Sequence, residues 1–144
     1  VARIIKFRGL SVNGEWRYGY LSVVTSGMAV KVETGSYISN KGGAPFAYQV
    51  RPETVGQFTE LHDCESTEIY EGDILEVTGD CGDVDIVQVK YHGDHNYPAF
   101  DTVPEIGCDT NGLSYAIAAC VVMVIGNVYE HPELLPTTST EPQP

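Results

Sequence analysis

Lysine and arginine are scarce in this chain. It has eight of them against twenty Asp and Glu in 144 residues, for a net charge of −12. None lies between Arg51 and Lys90, and none follows Lys90. Gripping a phosphate backbone draws on clustered Lys and Arg, so most of the chain is excluded as a nucleic-acid surface. Cysteine is sparse as well: Cys64, Cys81, Cys108 and Cys120 are far apart and form no C-x-x-C pair. No charged-then-apolar leader stands before Arg3, so free, reduced thiols in a cytoplasmic protein are expected. The longest apolar run, Tyr115 to Ile125, falls short of the about 20 residues that a membrane-spanning helix needs, and a soluble protein is expected. A P-loop, a dinucleotide fingerprint and a G-x-S-x-G elbow are all missing, so no cofactor is implied. No repeat stands out at periods of 20 to 50 residues.

What is present is a sharp division of charge. Residues 1–51 hold seven Lys or Arg and two acids, a balance of +5; residues 52–144 hold one Lys and eighteen acids, a balance of −17. Single-sign fields of this kind repel their own sign and steer the opposite one. The run from Glu53 to Asp85 holds eleven carboxylates and no cation. It reads as a solvated surface or as an imitation of a DNA backbone. The basic first third is the one region suited to direct nucleic-acid binding, which the overall charge disfavours.

Strand-like alternation outweighs helical spacing. Ile5 and Phe7 alternate with Lys6 and Arg8, and Trp16, Tyr18 and Tyr20 with Arg17 and Gly19, the period of half-buried strands. Asn13-Gly14 lies between them and suits a two-residue hairpin turn, so residues 3–8 and 15–24 are expected to form a β-hairpin. Further strands are expected at Ala29–Glu33, Phe46–Val50, Asp73–Val77, Val84–Tyr91, Ser114–Ile125 and Asn127–Glu130. Residues 53–61 suit one or two helical turns behind Pro52. The aromatic row Trp16, Tyr18, Tyr20 is expected to face the core, with an exposed stacking platform near Lys6, Arg8 and Arg17 as the other reading.

Several blocks form an ordered set: Ile5-Lys-Phe-Arg-Gly9, Glu15-Trp-Arg-Tyr-Gly-Tyr-Leu21, Pro52 to Leu61, Glu68-Ile-Tyr-Glu-Gly-Asp-Ile-Leu-Glu-Val77 and Val124 to Leu135. Together they span roughly half the chain and resemble the YopX family of phage and prophage proteins. The resemblance implies a fold and a phage or prophage setting in a bacterial host cell. It implies no particular chemistry.

His92, Asp94 and His95 place two imidazoles and a carboxylate within four residues. They are the weak metal-ligand candidates, and they would need Asp101, Cys108 or Asp109 to complete a site. The segment reads instead as a solvated loop around Asn96 and Pro98. Asp80, Asp83 and Asp85 lack the spacing and the closing Glu of an EF-hand loop. His62-Asp63-Cys64 brings together three residue types used in nucleophilic catalysis, but neighbours on an extended chain point opposite ways. No catalytic, cofactor-binding or metal residue is assigned.

The Glu71-Gly72-Asp73 lead into a strand, followed by a loop and a second long strand, is how many small SH3-like barrels begin. The expected fold is mainly β with little helix. A hairpin-rich N-terminal part (1–61) would pack on a C-terminal SH3-like barrel (62–135), followed by a polar tail (136–144). The expected role is a non-enzymatic phage or prophage accessory protein acting through protein–protein contacts. An acidic DNA mimic that captures a nucleic-acid-binding protein is the alternative, and weak nucleic-acid binding through the first third a second one. A protein partner of unknown identity is expected, and self-association into a homo-oligomer is compatible with the charge division.

Overall fold

A computed structural model describes residues 2–26, 32–40, 45–93, 97–107 and 110–137. The chain is mainly β, built on antiparallel sheets, and divides into two compact units, Val1–Leu61 and His62–Pro144.

The first unit opens with a hairpin of β1 (Phe7–Leu10) and β2 (Trp16–Val24), continues through β3 (Gly35–Ser39) and β4 (Tyr48–Val50), and ends on β5 (Gly56–His62). Their spatial order is β4-β3-β2-β1-β5. The Asn13-Gly14 signal marks the hairpin, but the connection has three residues rather than two. Ser11 N–H donates to the Glu15 carbonyl at 2.8 Å, and Gly14 alone takes a positive φ of 85°, the geometry of a turn closed by a glycine bulge. Past β1 the chain bends so that Ser11 bridges Val50 and Arg51 N–H reaches the Leu10 carbonyl at 2.8 Å. The sheet therefore curls without closing into a continuous barrel. Its buried apolar residues are Leu10, Ile38, Val50 and Phe58. Buried Thr54 ties the curl together, its Oγ1 accepting from Leu10 N–H at 2.9 Å and donating to the Arg51 carbonyl at 2.7 Å.

Several expectations for this unit are corrected. Residues 53–61 are not helical beyond a single 3-10 turn at Pro52–Thr54. The β-branched Val55 and the alternation from Gly56 onward favour β5. The aromatic row is not a core face either. Trp16 is half-buried, while Tyr18 is 43% and Tyr20 66% exposed. Cross-strand register sets Leu21 against Ile38 and Ile38 against Tyr48, so Ile38 and Leu21 lie on the face of β2 away from the row. The expected alternation also fails around β1, with Ile5 exposed ahead of the strand and Arg8 buried within it. The Arg8 guanidinium lies 4.7 Å from the centre of the Trp16 ring. Of the expected strand Ala29–Glu33, residues 29–31 lie outside the described residues, and the strand that forms begins at Gly35.

The second unit contains β6 (Glu68–Tyr70), β7 (Asp73–Thr78), β8 (Val84–Gly93), β9 (Pro98–Val103), helix α1 (Gly112–Ala119) and β10 (Val121–Asn127). Its four-stranded sheet has the order β10-β7-β8-β9. β7 and β8 follow the expected spans closely, and Val87 and Val89 point inward as their alternation requires. The core gathers Ile69, Tyr70, Ile74, Leu75, Val77, Val87, Val89, Leu113, Ala116 and Val122.

The SH3-like barrel expected over 62–135 does not appear in closed form, because the sheet is open between β10 and β9. The cause is the segment expected to be one strand from Ser114 to Ile125. Asn111 caps its start, accepting Ser114 N–H at 2.8 Å on its side chain. The alanine-rich stretch after it favours helix. Leu113 and Ala116, three apart, bury one helical face. Only from Val121 onward does the β-branched sequence form β10. The expected strand at Asn127–Glu130 contributes just Asn127, where β10 ends, and β9 lies where only a loop was expected.

Both edges of this open sheet are blocked, by side chains and by neighbouring backbone. On β10, Val124 N–H donates to Asp63 Oδ2 at 3.0 Å and the Val122 carbonyl accepts from Cys64 N–H at 2.9 Å. On β9, Pro98 has no N–H to offer. The Phe100 carbonyl is taken by Asn111 Nδ2 at 2.8 Å, and Thr102 N–H by Asp101 Oδ1 at 2.7 Å. Such capping prevents another strand from adding on. Among the described residues no helix is long and apolar enough to cross a membrane.

Candidate functional site

A cavity of about 770 Å³ opens in the second unit beside the β7–β8 turn. That turn is shaped by Gly79 N–H donating to the Asp83 carbonyl at 2.9 Å and by Gly82 at φ 80°. It leaves Asp80 and Asp83 exposed, with Asp85 exposed at the start of β8. All three carboxylates line the cavity. Its apolar wall comes from Val77, Ile106, Tyr115 and Ala119, contributed by β7, the segment after β9, and α1. Tyr115 is 47% exposed there. Cys120 also lines the cavity, and its thiol is held above its ordinary pKa by burial and then by Asp80, Asp83 and Asp85.

A second cavity of about 400 Å³ adjoins it, the two sharing Ile106, Gly107 and Thr110. Its polar side is a tightly bonded cluster. Buried Asp101 accepts from Tyr97 Oη at 2.8 Å on Oδ2, and from Thr102 N–H and Leu113 N–H, at 2.7 and 3.0 Å, on Oδ1. Asn111 Nδ2 donates to Tyr97 Oη at 2.5 Å. Burial, and then the bond to Asp101, pushes the Tyr97 hydroxyl above its ordinary pKa. Both Asp101 oxygens are thus committed to holding the start of α1 against β9. The cluster positions the cavity walls and offers no spare base.

The first unit presents a different surface. A small cavity of about 210 Å³ is lined by Ile4, Ile5, Lys6, Tyr18, Tyr20 and their neighbours. Ile4, Ile5, Tyr20 and Val23 are each more than half exposed. Gly19 sits at φ 155° in its wall, where an added Cβ would lie 2.1 Å from the Ser39 carbonyl oxygen, so only glycine fits.

The candidates named from sequence separate. His92 is half-buried near the end of β8, its ring centre 6.1 Å from that of Tyr97. Asp94 and His95, with Cys108 and Asp109, lie outside the described residues. Among the described residues no group of three His, Cys, Asp or Glu could hold a metal ion. In His62-Asp63-Cys64 the Asp63 carboxylate is committed to backbone, with Oδ1 accepting from Glu65 and Thr67 N–H, both at 2.9 Å, and Oδ2 from Val124 N–H. Burial opposes its ionisation, but these bonds prevail and hold its pKa below the ordinary value. The acidic run is likewise mixed: Asp63 and Asp73 are buried, whereas Glu53, Glu60, Glu65, Asp80, Asp83 and Asp85 are exposed. Sequence reasoning found the three aspartates of the cavity rim but missed its apolar wall. Ile106 and Tyr115 are distant in sequence, and Tyr115 was assigned to a strand.

No curated protein matches the chain. Among solved structures it is similar to the crystal structure of protein EF1440 from Enterococcus faecalis. The two are 21% identical, with a TM-score of 0.56, and the match covers 94% of this chain and 100% of that one. At that identity the likeness speaks for the fold alone. The model of the YopX protein family matches residues 6–136, nearly the whole length, and the chain belongs to the YopX family.

Proposed function

We propose that the protein is a non-enzymatic accessory factor of a phage or prophage, working in the bacterial cytoplasm by non-covalent contact with a protein partner. The observation that carries this reading is the apolar surface of the first unit, where Tyr20 is 66%, Ile4 58% and Ile5 51% exposed and all three line one cavity. A concentration of exposed apolar side chains marks a contact surface more often than an idle one. The blocked edges of the second sheet favour contact through faces and cavities over strand addition. Affinity capture from host lysate with the wild type and with the double variant Ile5→Ser, Tyr20→Ser tests the reading. Prey held by the wild type and lost by a folded double variant supports it; prey unaffected by the change overturns it.

A second reading, an acidic mimic of DNA, draws on the exposed Asp80, Asp83 and Asp85. It predicts nucleic-acid-binding prey released by moderate salt, whereas the apolar surface predicts prey that salt does not release.

A further inference from the structure

We propose that the acid-rimmed cavity of the second unit seats an arginine side chain presented by a protein partner. Exposed carboxylates alone would be an ordinary solvated rim. Here they line one cavity together with apolar side chains, and the two kinds of lining ask for different parts of one side chain. The wall of Val77, Ile106 and Ala119 suits a methylene stem, which long cationic residues bury while their charged ends stay polar. The rim of Asp80, Asp83 and Asp85 suits the charged end, and no Lys or Arg is found among the described residues that line the cavity. The exposed ring of Tyr115 offers a face on which a flat guanidinium stacks. A guanidinium also bridges two carboxylates with its fixed fork of donors, which an ammonium does not. The opening, about 770 Å³, falls within the size range of sites that take small ligands, roughly 300–1,000 Å³, so the residues flanking the arginine also find room.

This contact is separate from the apolar surface of the first unit, and its test needs no identified partner, so either reading can fail without the other. The probe is the peptide acetyl-Leu-Arg-Leu-amide, titrated into isotope-labelled protein and followed by amide chemical shifts. The control replaces arginine with citrulline, which keeps the shape and removes the charge. Saturating shifts confined to residues 77–85 and 106–120 are expected, with the citrulline peptide weaker by about tenfold or more. The isosteric variant Asp80→Asn, Asp83→Asn, Asp85→Asn should weaken the arginine peptide to a similar extent without unfolding, because all three side chains are exposed. Equal binding of the citrulline peptide overturns the proposal, as do shifts that never saturate or that spread over other acidic surfaces. Equal binding of a third peptide, acetyl-Leu-Lys-Leu-amide, overturns the guanidinium assignment.

Discussion

The two units bury their apolar side chains to different degrees. In the second, ten apolar residues from four strands and a helix are shielded, and Ile69, Ile74, Leu75, Val87, Val89 and Ala116 show no exposure. In the first, four apolar side chains are buried and eight large ones lie exposed, tyrosines and isoleucines among them. Charge divides differently too. Three cations of the first unit lie against aromatic rings, Lys6 5.0 Å from the Phe58 centroid, Arg8 4.7 Å from that of Trp16 and Arg17 3.8 Å from that of Tyr48. In the second unit buried carboxylates bind backbone N–H groups, and exposed ones rim a cavity. The apolar cavity of the first unit and the carboxylate-rimmed cavity of the second therefore suit different contacts, the first insensitive to salt and the second dependent on it.

The largest effect should come from the second core. Ile74→Ala removes a fully buried side chain from the central strand β7 and should cost about 2–5 kcal/mol in denaturant melts. If the change were nearly neutral, the contrast in burial between the units would not hold in solution.

Asp63 comes next. Asp63→Ala leaves three backbone donors without their acceptor and should cost about 1–3 kcal/mol. The folded pKa of Asp63 lies below its unfolded value, so the stability it contributes is complete above the ordinary carboxyl range near about pH 4. That contribution is lost as pH falls through the lower, folded pKa. Asp63→Asn should flatten this part of the acid-denaturation curve, and an unchanged curve would show that the carboxylate is not held as described. Asn111→Ala, which removes the cap of α1, should cost about 1 kcal/mol and loosen the walls of the acid-rimmed cavity.

Sequence periodicity revealed β8, which alternates as a half-buried strand requires, whereas β7 buries Ile74 and Leu75 in succession and was legible from its short apolar run after the Glu71-Gly72 turn. It could not separate helix from strand in the run Tyr115–Ile125, since a continuous apolar stretch carries neither period. The distinguishing signal was local, an N-capping Asn111 ahead of small residues. Nor could alternation say which face of β2 meets the core; Trp16, Tyr18 and Tyr20 plainly share a side, but the side is chosen by Ile38 and Val50 on strands that pair with β2 and β3. The roles of Asp63 and Asp101 were hidden for a related reason. Their partners Val124 and Leu113 lie 61 and 12 residues away, and no composition or spacing rule links a carboxylate to a distant backbone N–H.

The smallest effect is expected where the first unit is most open. Tyr20 is 66% exposed, so Tyr20→Ser removes little buried area and should change stability by no more than about 0.5 kcal/mol in either direction. The same holds for Ile5→Ser on the neighbouring segment, and because the two residues line one cavity the double variant need not be additive. A small stability effect combined with a lost contact is what separates a binding surface from a core, because the free energy of an exposed apolar side chain is realised only when a partner covers it. If the double variant instead melts several degrees lower, the row is part of the packed structure and the surface assigned to the first unit disappears. If it melts like the wild type and keeps every partner, the exposed tyrosines have no role in contact, and the acid-rimmed cavity is left as the binding feature of the fold.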